Sequence, residues 1–222
     1  MSSGSLNLQR QSGLIPPELV QAQHITVIGA GAIGSSVAES LAKIGISKLT
    51  LWDYDTVEDH NLPNQGFMFG DIGKPKVVAL KDRLEAGTGV SINAKEAEFT
   101  SSSRLNTPVV ISAVDSMRVR KLIWEKCKTS TTVRLFIDGR MGAMFGQIYA
   151  IKPGDVPART YYEGTLFSDS EAAPLPCTEK ATIFCAQGMS AFIASTVVDY
   201  ILDQNISRRI SVDFANKIAA RG

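Results

Sequence analysis

At 222 residues the chain can build one sizeable core, since single domains commonly run to about 200 to 250 residues and bury roughly 70% of their unfolded surface. Lys and Arg total 23 against 22 Asp and Glu, so the charge balance excludes a nucleic-acid or anionic-membrane surface as the default partner and leaves that choice to a site. Cys127, Cys177 and Cys185 are odd in number and lack CxxC pairing, which argues against a disulfide framework or a four-cysteine zinc site and for a reducing cytoplasm; nor is there a signal-peptide core or a window approaching the ~20 apolar residues of a membrane span.

In chain order, residues 1–23 are polar and read as an arm leading through Pro16 and Pro17 into a short first helix. A single domain is expected over 24–222. HITVIG (24–29) is a β-branched strand closed by glycine, and Ile33, Val37, Leu41 and Ile44 then recur at helical spacing. KLTLWD (48–53) is a second buried strand, and a helix is expected from Lys74 to Glu85. VSINAK, PVVISAV and VRLFIDG supply further strands, with a helix from Met117 to Lys128 before the last. This alternation predicts a Rossmann-like α/β fold, a mostly parallel sheet with right-handed crossovers and helices on both faces. After Gly139 the pattern changes to a short antiparallel extension. A long Pro-rich loop spans about 153–180, an apolar helix runs from about Ala186 to Leu202, and the tail beyond Asn205 is amphipathic.

GAGAIG (Gly29 to Gly34) lies between strand and helix, and Asp53 closes the next strand, 19 residues beyond Gly34. Glycines there permit a tight turn and let backbone approach a phosphate, the helix N-terminus favours the anion, and the acid can hold ribose hydroxyls. Gly29, Gly31, Ala32, Gly34 and Asp53 are therefore candidate nucleotide-binding residues. The default nucleotide for this fingerprint is a nicotinamide cofactor, but only about 70 residues follow the parallel strands, too few for the usual dehydrogenase substrate domain.

The residues after Asp53 point elsewhere. DYDTV, NLPNQ, GKPK and DSMRVR follow in order at Asp53 to Val57, Asn61 to Gln65, Gly73 to Lys76 and Asp115 to Arg120. This succession resembles the superfamily of ubiquitin-activating-type enzymes that includes the ThiF and MoeB adenylyltransferases, whose pattern is GxGxxG, DxDxV, NLxRQ, GxxK and D(N/S)xxxR. The resemblance covers about Arg10 to Leu202 and departs from the pattern at Asn64, where the family has arginine.

The resemblance implies ATP and Mg²⁺ as cofactors, a small ubiquitin-like or sulfur-carrier protein as partner, a homodimer, and adenylation of the carrier's C-terminal carboxylate. That carboxylate, with a pKa of about 3.5, is already ionised at neutral pH, so the site must supply positive charge and alignment rather than a base. Lys76 would bind phosphates, Asp115 would hold Mg²⁺, and Asp55, Asn61, Asn64, Gln65 and Ser116 complete the candidate nucleotide site. Either of the first two admits a plainer role, Lys76 as a solvated first-turn lysine and Asp115 as the cap of the helix that follows. Arg10 resembles the N-terminal arginine that relatives reach across a dimer into the neighbouring site. Its loss-compensating role matters here because position 64 lacks a guanidinium.

Cys177, in PLPCTEK, resembles the catalytic-cysteine segment of ubiquitin-type activating enzymes; near Lys180 its thiolate could take the acyl group as a thioester. Cys127 and Cys185 sit on helical apolar patterns and read as core. Asn64 also motivates the rival reading of a catalytically silent partner subunit.

Overall fold

The computed structural model describes residues 6–168 and 182–222. One eight-stranded sheet organises them, in the order β3-β2-β1-β4-β5-β6-β7-β8, where β1 is His24–Ile28, β2 Lys48–Asp53, β3 Ser91–Glu96, β4 Val109–Ser112, β5 Leu135–Gly142, β6 Phe145–Ile151, β7 Arg209–Asp213 and β8 Ile218–Arg221. The first five are parallel, and β5 to β8 run antiparallel to their neighbours. The expected Rossmann-like sheet with its antiparallel extension is the observed one.

Strand alternation divides the core in two. Ile25, Val27, Ile111, Leu135, Ile137 and Ile148 face one side, with Val37 and Leu41 of α2 (Ala32–Ile44), Val77 and Leu80 of α3 (Lys76–Thr88) and Met189 and Ile193 of α6 (Ile183–Ile201). Ile28, Val110, Phe136, Tyr149 and Ile151 face the other, under Trp124 of α4 (Met117–Thr129) and Tyr162 of α5 (Val156–Glu163). Helices therefore cover both faces.

Four expectations are corrected. The helix expected from Lys74 starts at Lys76, because Pro75 takes the N-cap position and disfavours helical backbone at the residue before it. The stretch expected as one long loop from 153 contains α5, started by Asp155, whose carboxylate accepts the backbone N–H of Ala158 at 3.0 Å. The amphipathic tail is the β7–β8 hairpin, with Ile210 and Val212 turned inward. Finally, α6 has 19 residues and mean hydropathy 1.2, long and apolar enough by length and composition to cross a membrane. Here Cys185, Met189, Ile193 and Val197 bury that apolar surface within the fold.

The N-terminal arm ends in α1 (Pro17–Gln21), only 5 residues long. It is tied to the far end of α2: Gln11 Nε2 donates to the Ile44 carbonyl at 2.6 Å, and buried Leu8 occupies the space beside Gly45.

Candidate nucleotide site

Strand order reverses between β1 and β4, and in open α/β sheets ligands bind at the carboxyl ends of the strands beside such a switch point. The glycine loop lies there, and its three glycines do different work. Gly29 adopts φ +93°, and a β-carbon on it would stand 2.6 Å from the Ala113 carbonyl oxygen, so the turn depends on glycine. A β-carbon on Gly34 would collide with the Gly29 carbonyl oxygen, so this glycine lets helix meet loop. Around Gly31 nothing among the described residues lies within 4 Å of that position. Gly31 is also the N-cap of α2 and has no side-chain cap, leaving first-turn N–H groups for an anion.

Asp53 fastens this loop. Its Oδ2 accepts the Ala30 N–H at 2.6 Å and its Oδ1 the Asp55 N–H at 2.8 Å. Burial raises its pKa, opposed by those two N–H groups and by Lys76. Each carboxylate oxygen keeps a lone-pair direction for a ribose hydroxyl.

Lys76 is buried at the first turn of α3, not solvated. Its Nζ lies 2.9 Å from Asp55 Oδ2, with the lysine side chain 8% and the aspartate 48% exposed. The backbone explains the pairing: Val57 N–H donates to Lys74 O, Gly73 N–H to Val57 O and Lys76 N–H to Asp55 O, each at 2.9 Å. These bonds lace the DxDxV segment to the GxxK segment, so two motifs distant in sequence present one ion pair. Asp55 therefore acts first through Lys76.

The 61–66 loop folds over the first turn of α2, where Gly66 N–H donates to Ser35 Oγ at 2.9 Å. Asn61 holds the turn by accepting the Glu58 N–H at 2.9 Å. Asn64 Oδ1 and Gln65 Oε1 are buried with no hydrogen-bond partner among the described residues. Asp115 is exposed just beyond β4, and the cap of α4 is Ser116, whose Oγ accepts from Val119 N–H at 3.4 Å. The carboxylate is thus left available while the hydroxyl caps the helix. No cluster of three metal-ligating side chains occurs among the described residues. The exposed Asp115 carboxylate is a side chain of the kind that would hold Mg²⁺, which takes one or two carboxylates and completes its shell with phosphates and water.

Arg10 is exposed on the arm, away from this constellation. The arm is anchored at the C-terminal end of α2, a helix of 13 residues and so roughly 20 Å long. Within one chain the glycine loop lies at the opposite end. Cys177 and Lys180 fall outside the described residues, whereas Cys127 and Cys185 are buried core thiols, Cys127 with its pKa pushed up by burial.

Sequence reasoning missed a buried network behind the site. Asp138, 0% exposed, accepts Arg120 Nε and Arg140 Nε, each at 2.7 Å, and the Tyr162 hydroxyl at 3.0 Å. Arg120 also donates to the Val114 carbonyl, next to Asp115, and Arg140 to Thr165 O and Oγ1 at 2.9 and 3.0 Å. Burial would lower the pKa of Arg140, but the Asp138 charge and hydrogen bond outweigh it and raise the value. The only sequence signal was a lone aspartate ending the apolar run RLFID and the arginine closing DSMRVR.

Fold and site define an α/β protein with a phosphate-type glycine loop at a switch point, a buried lysine opening α3 and an exposed aspartate just beyond β4. Residues 8–218 match the ThiF family, and the chain belongs to it. The chain is 27% identical over 223 residues to the "Ubiquitin-like modifier-activating enzyme 5" of Caenorhabditis elegans, covering 88% of this chain and 52% of that protein. It is 36% identical over 109 residues to the "Adenylyltransferase and sulfurtransferase MOCS3" of Dictyostelium discoideum, 46% of this chain and 26% of that one. The chain thus spans about half the length, or less, of these relatives. Escherichia coli MccB, crystallised with AMPCPP and MccA, shares the fold at TM-score 0.74 and 17% identity, covering 93% of this chain and 65% of that one.

Proposed function

We propose that this protein uses MgATP to adenylate the C-terminal carboxylate of a small ubiquitin-like or sulfur-carrier protein, acting as a homodimer in the cytoplasm. The observation that carries the reading is the open backbone cradle at Gly31 beside the paired Asp55 and Lys76. The names of the relatives and the ATP analogue bound to MccB support the same chemistry. Lys76 and the α2 N–H groups hold phosphates, Asp53 orients the ribose, and Asp115 positions Mg²⁺, which supplies Lewis-acid stabilisation of phosphate charge. The carrier carboxylate then attacks the α-phosphorus, the bond to the bridging oxygen breaks, and pyrophosphate leaves. Arg10 serves the site of the second subunit. Cys177 attacks the acyl carbonyl as thiolate, forming a thioester and expelling AMP.

ATP–pyrophosphate exchange with a panel of Gly-terminated ubiquitin-like and sulfur-carrier proteins tests the first step. Exchange that needs one carrier and disappears in a folded Asp115→Ala variant is expected. ATP binding without exchange for any carrier would favour the silent partner subunit suggested by Asn64, and preference for NAD would overturn the reading. Cys177→Ala should retain exchange yet lose the thiol-labile carrier adduct seen by intact-protein mass spectrometry.

A further inference from the structure

The structure contains a second cation beside the glycine-loop helix, Arg83. It follows Lys76 by seven residues on α3, a spacing that puts both side chains on one helix face about 10 Å apart along the axis. The Arg83 side chain is 26% exposed, but its Nη2 is buried and has no hydrogen-bond partner among the described residues. The facing carboxylate, Glu39 on α2, stands 3.6 Å from Nη2 and is itself held by Lys43 at 2.9 Å. A guanidinium N–H kept dry without an acceptor is unfavourable, so an acceptor such as water, an anion or a ligand oxygen would be favoured there.

Gly66 gives this arrangement its direction. A β-carbon at position 66 would stand 3.2 Å from Arg83 Nη2 and 3.3 Å from Ser35 Oγ, so the missing side chain opens the space between Arg83 and the first turn of α2. The same glycine borders a cleft of about 200 Å³ that continues past Ser36, Ser40 and Lys43 towards Gln187 and Ser190 of α6. Within the lining Lys43 and Glu39 offset one another among hydroxyls and an amide, and Arg83, reaching Gly66 from α3, brings the surplus positive charge to the edge of the cleft. That chemistry suits a polyphosphate.

We propose that Arg83 grips the terminal phosphates of the nucleotide, supplying from α3 the guanidinium that position 64 lacks, and that Gly66 keeps its path open. This rests on the adenylation reading above. The rival is a clamp: Arg83 closes onto the unpartnered amide oxygens of Asn64 and Gln65 and merely stiffens the loop.

Calorimetric titration of the full chain with ATP, AMP and inorganic pyrophosphate separates the two. Losing a charge-assisted contact in Arg83→Gln should weaken ATP and pyrophosphate by about 10- to 100-fold while leaving AMP unchanged. Asn64→Arg in the same background should recover part of the loss. Gly66→Ala, which keeps every charge but fills the space, should weaken the same two ligands and serves if Arg83→Gln does not fold. Equal losses for ATP and AMP, or no loss in a folded variant, would establish the loop clamp and overturn the proposal. Wild-type protein that binds ATP but exchanges no pyrophosphate with any carrier would sink the adenylation reading while leaving Arg83 selectivity measurable; wild type that binds none of the three ligands would refute both.

Discussion

Replacing Gly31 or Gly34 by alanine adds the same methyl group three residues apart, and the structure assigns the two changes opposite outcomes. At Gly34 the methyl has no room: the Gly29 carbonyl already occupies its place, and both partners are backbone, so loop or helix must shift. Overpacking of that kind costs about 3 kcal/mol or more, equivalent to a melting-temperature drop of roughly 6 to 12 °C for a chain of this size. At Gly31 the methyl meets nothing among the described residues within 4 Å, and φ is −76°, outside the left-handed region that favours glycine. Only the N-cap preference is lost, about 0.5–1 kcal/mol, or at most about 4 °C. The open volume is where phosphate would touch backbone, so the methyl should weaken ATP by about 1–3 kcal/mol, roughly 5- to 150-fold. Thermal melting and calorimetry on both variants give the comparison. A Gly31→Ala protein that binds ATP as wild type does would refute the placement of the phosphates, and a Gly34→Ala protein as stable as wild type would refute the packing argument.

Mixing Arg10→Ala with Lys76→Ala protein should restore part of the exchange activity through heterodimers with one intact site; failure despite demonstrated subunit exchange, or a monomer in solution, removes Arg10 from the chemistry. His24, with Nε2 2.9 Å from Thr50 Oγ1, has its pKa lowered by burial and then by Lys48. The unfolded chain therefore binds that proton more tightly, so stability is whole above about pH 6.5 and falls as pH drops from there towards the lower folded value. His24→Gln should melt with a shallower pH dependence across that window, and identical slopes would show that His24 contributes nothing.

The sheet was legible because its strands are short apolar runs punctuated by glycine, and because β1, α2 and β2 hold their phosphate-loop spacing within one local unit. The C-terminal hairpin was not: Ile210 and Val212 alternate at period 2 over only 5 residues, too short a run to separate from a helical face. In the site, Gly29, Gly31, Gly34, Asp53 and Lys76 were named from motifs, and the structure brings them to one strand edge. What motifs could not give was pairing. Asp55 meets Lys76 through an antiparallel contact between two loops, and Ser116 rather than Asp115 caps α4. Arg83 and Asp138 were invisible for a related reason, since an arginine on a helix or an aspartate ending a strand acquires meaning only from the tertiary neighbours that bury it.

Asp138 shows how that burial reaches the site. Among the described residues it is the one carboxylate paired with both guanidinium groups, and it is sealed from solvent, so its removal leaves two cations facing one another without that counter-ion. Asparagine keeps the shape but not the charge, and its amide N–H₂ must face at least one N–H donor. Deleting one partner of a buried pair costs about 3–5 kcal/mol, which predicts a melting-temperature drop of roughly 6 to 20 °C for Asp138→Asn. The damage should not be uniform. Arg120 holds the Val114 carbonyl immediately before Asp115, and Arg140 holds Thr165 beyond α5, whereas the glycine loop is fastened separately by Asp53. Below its melting temperature the variant should thus keep its affinity for AMP and lose pyrophosphate exchange, because the strand end carrying Asp115 has lost its anchor. Melting within a few degrees of wild type would mean that Asp138 is neutral in the fold, and parallel loss of AMP affinity and exchange would mean that the network supports the whole sheet edge rather than the Asp115 turn.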